Sequence, residues 1–82
     1  MRILVVGRHE RIVLGAARVA KAFGNTVEVA CSLDEQRTKI SENSFQLILV
    51  HCAVNRVDRD ELAATHEVKD FVAVDSLFDY FT

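Results

Sequence analysis

Four short runs of β-branched and aliphatic residues alternate along the chain with longer segments of helical periodicity. Continuous apolar runs are typical of strands that are buried on both faces of a parallel sheet. The predicted strands are Ile3–Val6, Thr26–Ala30, Phe45–Val50 and Phe71–Val74. Strands that alternate with helices form parallel sheets with right-handed crossovers. The pattern therefore predicts an α/β fold with a four-stranded parallel sheet in the order 2-1-3-4.

The first two intervening segments carry start and stop signals of helices. Glu10–Phe23 has apolar residues at helical spacing, and Gly24 follows it at the position where glycine commonly ends a helix. The second helix is predicted to begin at Ser32–Glu35. This segment is a capping box, in which the serine hydroxyl accepts from the Glu35 amide while the glutamate side chain reaches back.

A third helix is predicted between the last two strands. Asp58 with Glu61 marks its start, and Leu62, Ala63 and Val68 give it a modest apolar side.

Composition and charge narrow the class of protein. The 82 residues are enough for one domain, residues 1–82, and half of them are hydrophobic, which is ample for a core. The net charge of −2, with interspersed signs, gives no basic footprint, so nucleic-acid binding is not expected. No apolar run reaches the roughly 18 to 20 residues of a membrane span. Cys31 and Cys52 do not form a disulfide framework, so we expect a cytoplasmic protein.

Several polar residues follow the strands at the carboxyl edge of the predicted sheet, where ligands gather in such folds. Arg8, His9 and His51 are the candidate ligand or anion residues. A zinc site from His9, His51, Cys52 and Asp75 has suitable atoms, but no two of these residues have a ligand spacing. Neither glycine-rich phosphate motif is present. We therefore predict no metal and no cofactor.

The stretches Val27–Glu35 and Ile40–Val50, with Ile3–Val6 and Asp60–Leu62, resemble a response-regulator receiver domain. The resemblance covers roughly residues 2–75. It implies a small flavodoxin-like three-layer sandwich.

The departures from the receiver pattern concern its chemistry. Receivers hold magnesium with an acidic pair after strand 1, where this chain has Gly7, Arg8 and His9. Their phosphoacceptor aspartate ends strand 3, where this chain has His51, and their fifth strand has no counterpart. The resemblance thus implies a truncated pseudo-receiver: a non-catalytic, regulatory protein–protein interaction module. The alternative is a small phosphocarrier or ligand-binding protein that uses His9, His51 and Cys52.

Without a fifth strand, strand 4 is an edge with unpaired backbone groups. A short final helix, capped by Asp75 or Ser76, is predicted beside it. Its apolar residues are Leu77, Phe78, Tyr80 and Phe81. They either cover the open face of strands 3 and 4 or pack against another chain. The second option predicts a homodimer or a protein partner.

A second resemblance concerns the ends of the pattern. Phe23–Val27 and Phe71–Phe78 are similar to the ends of BRCT domains, although Leu77 stands near the place of their typical tryptophan. This alternative implies an interaction domain as well.

Overall fold

A computed structural model describes residues Met1–Thr82. The strands are β1 (Arg2–Val6), β2 (Thr26–Ala30), β3 (Leu47–His51) and β4 (Val68–Phe71). The helices are α1 (Glu10–Ala22), α2 (Leu33–Glu42), α3 (Arg56–Ala63) and α4 (Ser76–Phe81). All strand pairs are parallel and the order is β2-β1-β3-β4, which confirms the predicted α/β fold and is consistent with a flavodoxin-like architecture. None of the helices has the length and apolar character that a membrane span requires.

The sheet separates two hydrophobic cores because successive side chains of a strand point to opposite faces. Ile3 and Val5 of β1 face α1 and α4, whereas Leu4 and Val6 face α2 and α3. All four side chains are fully buried. The carboxyl ends of β1 and β3 therefore lie between two covered faces, and polar residues that follow them turn to one side or the other.

The helix ends follow local sequence signals. Ser32 Oγ accepts from the Glu35 amide at 3.1 Å, as the capping box predicts. The Glu35 carboxylate accepts from the Cys31 amide at 3.0 Å, one residue before the expected partner. Gly24 has φ +88°, a left-handed conformation that is open to glycine because it has no Cβ.

The start of α3 differs from the prediction. Its N-cap is Asn55, whose side-chain oxygen accepts from the Asp58 amide at 2.9 Å. Asp58 thus lies in the first turn rather than at the start, and the prediction that the helix begins at Asp58 is wrong by two to three residues. Asn55 and Asp58 have the three-residue spacing of a capping pair, and this spacing is the sequence signal for the observed start of α3.

The bounds of β3 and β4 also differ from the prediction. β3 begins two residues late, because Phe45 packs into the α2–α3 core before the strand starts. β4 covers Val68–Phe71 rather than Phe71–Val74, and Val68 lies in this strand, not on the third helix. The chain leaves the sheet after Phe71, and Val74 packs into the core on the α1 side.

Candidate functional site at the carboxyl edge of the sheet

His51 ends β3 and is almost completely buried. Its Nε2 lies 3.2 Å from the carbonyl oxygen of Val72, which can only accept, so Nε2 carries the proton. The amide of Ala53 points at Nδ1 at 3.4 Å. The ring also packs on Phe71 and has its edge toward His9, with centroids 5.4 and 6.1 Å apart. Both ring nitrogens of His51 are thus engaged by the chain itself.

Arg8 turns to the opposite face of the sheet. Its guanidinium donates to Asp58 Oδ2 at 3.1 Å, to Gln36 Oε1 at 3.4 Å and to the Gly7 carbonyl at 3.1 Å. Gln36 is fully buried and donates in turn to the Asp58 carbonyl at 3.1 Å. This network joins the end of β1 to α2 and α3. The sequence shows no signal for Gln36, since an isolated glutamine on a polar helix reads as a surface residue.

The predicted ligand residues therefore do not form one set. His9 and His51 lie together on the α1–α4 side, and Arg8 lies on the α2–α3 side with its charge offset by Asp58. No group of three or more histidine, cysteine, aspartate or glutamate side chains could hold a metal ion. The contacts favour a structural role for Arg8 and His51.

The two cysteines are free thiols in different surroundings. Cys52 is exposed, and its Sγ lies 3.7 Å from His51 Nε2, which already donates to a carbonyl. That nitrogen is not oriented to take a proton from the thiol. Burial raises the pKa of the Cys31 thiol, and the nearby carboxylates of Glu35 and Glu10 raise it further, which lowers the thiolate fraction that nucleophilic chemistry requires.

β4 forms an open edge of the sheet. Its inner side bonds to β3, ending with the Cys52 amide, which donates to the Phe71 carbonyl at 3.0 Å. Backbone groups alternate along a strand, so the N–H and C=O groups of Val68 and Asp70 point away from β3. No other element bonds to them. Two residues of the edge therefore present free donors and acceptors.

A groove of about 570 Å³ runs between β4 and α4. The wall on the β4 side includes Lys69 and Val72, and the wall on the α4 side includes Leu77 and Tyr80. The Lys69 ammonium lies 5.4 Å from the centroid of the Tyr80 ring. The free backbone edge and an apolar groove thus adjoin one another.

On its other face β4 is held by an ion pair. Arg59 of α3 donates from two nitrogens to the two oxygens of Asp70, each at 2.8 Å. This hydrogen bonding holds the pKa of the Asp70 carboxyl below its usual range. The pair anchors the edge strand to α3 through a side chain, and the outward peptide groups stay free.

The apolar residues of α4 divide between core and surface. Leu77 is 1% exposed within the core under α1, and Phe81 is half-buried and stacks on Phe23. Phe78 and Tyr80 remain 47% and 43% exposed. The helix starts without the predicted side-chain cap: Asp75 makes no such bond, and Ser76 donates to a carbonyl instead. α4 therefore covers the open face and also leaves two aromatic rings at the surface.

Comparison of the chain with protein-family models, with curated protein sequences and with solved structures finds no match.

Proposed function

We propose that this chain is a non-catalytic, regulatory protein–protein interaction module that binds an extended segment of another protein along β4. The observation that carries the proposal is the unpaired outer edge of β4 beside an apolar groove. An extended segment that adds to a sheet edge gains affinity from main-chain hydrogen bonds and specificity from alternate side chains.

The charges of β4 favour a different protein over a second copy at this edge. Two of the symmetric registers open to antiparallel pairing of this edge with its own copy are centred on charged residues of β4. One places Lys69 opposite Lys69, and the other places Asp70 opposite Asp70. Like charges directly opposite each other are destabilising. Charged residues on an edge are a common device against self-association.

The groove also defines the chemistry of the segment. Side chains that alternate along a strand reach the groove at every second position. One such side chain meets the exposed ring of Tyr80 and is expected to be apolar. The side chain opposite Lys69 is expected to be acidic, because opposite charges are the favourable cross-strand pair.

The non-catalytic part of the proposal is supported by the polar side chains at the carboxyl edge, which are already paired or hydrogen-bonded within the chain. Arg8 is paired with Asp58, and both nitrogens of His51 are engaged. The regulatory part rests on the receiver resemblance, and the BRCT-like alternative implies the same class of function. The two free cysteines support a reducing, cytoplasmic environment.

Asp70→Pro tests the edge directly. The Asp70 N–H points outward, so proline removes a donor offered to the partner without removing a β3–β4 hydrogen bond. Asp70→Ala is the matched control, because it also loses the ion pair with Arg59 but keeps the N–H. A partner is captured from the source lysate, purified, and its Kd for each variant is measured by titration calorimetry, with circular dichroism to confirm folding.

We expect Asp70→Pro to abolish binding or weaken it at least about tenfold, as loss of a main-chain hydrogen bond together with a steric block implies. Asp70→Ala is expected to bind within a few-fold of wild type. Equal binding by the proline variant, or the absence of any saturable partner, would show that β4 is not the binding edge.

A further inference from the structure

One face of α1 carries cations that have no partner in the chain. Arg11, Leu14, Arg18 and Lys21 follow one another at helical spacing and form a stripe on the exposed side of α1, here called the basic stripe. None of its three cations takes part in an ion pair. Leu14 lies among them and is 41% exposed.

The outer face of α4 has the opposite character. Leu77 points into the core, so Asp75, Phe78 and Asp79 lie on the solvent side of the helix, and all three are exposed. Neither carboxylate takes part in an ion pair. This acidic face thus has two carboxylates around an apolar side chain, whereas the basic stripe has three cations around one.

Both surfaces lie on the same side of the sheet. α1 and α4 contact each other and share one hydrophobic core. A two-fold axis along the gap between the helices places α1 of each copy over α4 of the other. A two-fold axis across the helices places α1 over α1, where the cations repel. Charge therefore selects the first arrangement, which is closed and uses both complementary contacts twice.

We propose that the chain forms a symmetric homodimer in which the basic stripe of each copy docks on the acidic face of α4 in the other. Leu14 and Phe78 form the apolar centre of each contact, and the charges fix its register. The dimer face shares Asp79 with the groove beside β4 but includes no residue of the strand itself, so the dimer does not require strand addition at β4.

Two charge-reversal variants of the full chain test the dimer. The first is Arg18→Glu with Lys21→Glu, and the second is Asp75→Lys with Asp79→Lys. All four side chains are exposed and make no side-chain hydrogen bond, and Asp75 makes no cap bond, so the fold is expected to persist. Arg56→Glu on α3 is the control for a charge change outside the face. Sedimentation velocity over a concentration series gives the dimer Kd of each.

Wild type is expected to sediment as a dimer of the 9.2 kDa chain, and added salt is expected to weaken it. Each reversal variant repels its own copy, which should raise the Kd by on the order of tenfold or more. An equimolar mixture of the two variants should form a one-to-one heterodimer, seen as a distinct mass by native mass spectrometry, because every contact is then complementary again. Arg56→Glu should behave as wild type.

A wild-type chain that is monomeric throughout the series would overturn the dimer, as would reversal variants that dimerise normally or fail to pair when mixed. The Asp70→Pro variant is expected to dimerise fully. Loss of partner binding with an intact dimer, or the converse, therefore distinguishes failure of one proposal from failure of the other.

Discussion

Leu77→Ala tests whether α4 is an integral part of the core. Leu77 is the one residue of α4 that is fully buried, and it packs in the cluster that includes Ile3, Leu49 and Phe71. The substitution removes three carbon atoms from a site enclosed by the sheet and α1. Because those neighbours belong to regular elements that relax little, a cavity remains.

The expected loss is large for so small a domain. Replacing a buried leucine by alanine costs about 2–5 kcal/mol, depending on how far the site collapses. An 82-residue chain has a free energy of unfolding of about 4–12 kcal/mol, at roughly 0.05–0.15 kcal/mol per residue. α4 has only six residues and docks mainly through Leu77 and Phe81. The helix can therefore detach locally, which limits the loss, so we expect about 2–3 kcal/mol.

Urea unfolding followed by far-ultraviolet circular dichroism measures this loss. Because the free energy of unfolding falls by about 1 kcal/mol per molar urea in a domain of this size, the urea midpoint should fall by about 2–3 M. Val57→Ala is the matched control, because Val57 is 78% exposed on α3. Its substitution should change the free energy of unfolding by less than about 0.5 kcal/mol.

A loss below about 1 kcal/mol would contradict this expectation, because it would mean that α4 contributes little to the core. The dimer face would then lack a fixed helix to carry it. A loss in the expected range accompanied by a lower slope would indicate instead that α4 is already detached in the folded variant.

Two further predictions follow from close contacts and charge. Gly7→Ala should lower the free energy of unfolding in urea by about 1–3 kcal/mol, because the new Cβ would lie 2.5 Å from Val13 Cγ2 in the core. Gly15→Ala is the control: its Cβ lies 3.4 Å from the nearest neighbouring atom, so the substitution inside α1 should be neutral or stabilising by up to about 1 kcal/mol. Equal losses of stability in the two variants would contradict this prediction. Hydrogen bonding to Arg59 lowers the pKa of Asp70 in the folded state. The ion pair therefore stabilises the fold fully above the unfolded-state pKa of about 3.9, and this stabilisation is lost as the pH falls through the lower folded-state pKa. In Asp70→Asn, the free energy of unfolding should therefore fall less steeply as the pH is lowered below about 4 than it does in the wild type. The same steepness in both proteins would show that the ion pair is not formed in solution.

The alternation of elements, the parallel order and the bounds of β1, β2 and α1 to within one residue could be read from the sequence. β1, β2 and α1 follow from patterns that are local, namely continuous apolar runs and a helical period ended by a glycine. The Ser32 cap is local too, since it needs only a hydroxyl and an amide three residues apart. Signals of this range survive folding because no distant contact competes with them.

The bounds of β4 and the arrangement of the candidate site depend on tertiary contacts. Val68, Lys69 and Asp70 lack a strand pattern, yet they pair with β3 because its edge offers the hydrogen bonds and Arg59 holds the strand in place. The apolar run after Phe71, which predicted a strand, instead leaves the sheet: Val74 packs in the core on the α1 side, whereas Val72 is exposed.

The positions of polar side chains at the carboxyl edge were likewise set at long range. Arg8, Gln36 and Asp58 are 22 to 50 residues apart in pairs that hydrogen-bond to one another. A sequence pattern places such residues at one edge but does not choose the face of the sheet to which each one turns. That choice depends on which buried polar groups need partners, and only the packed elements supply them. Local sequence patterns thus specify the order and the kind of the elements, whereas the packing of the two cores specifies which surfaces are left free.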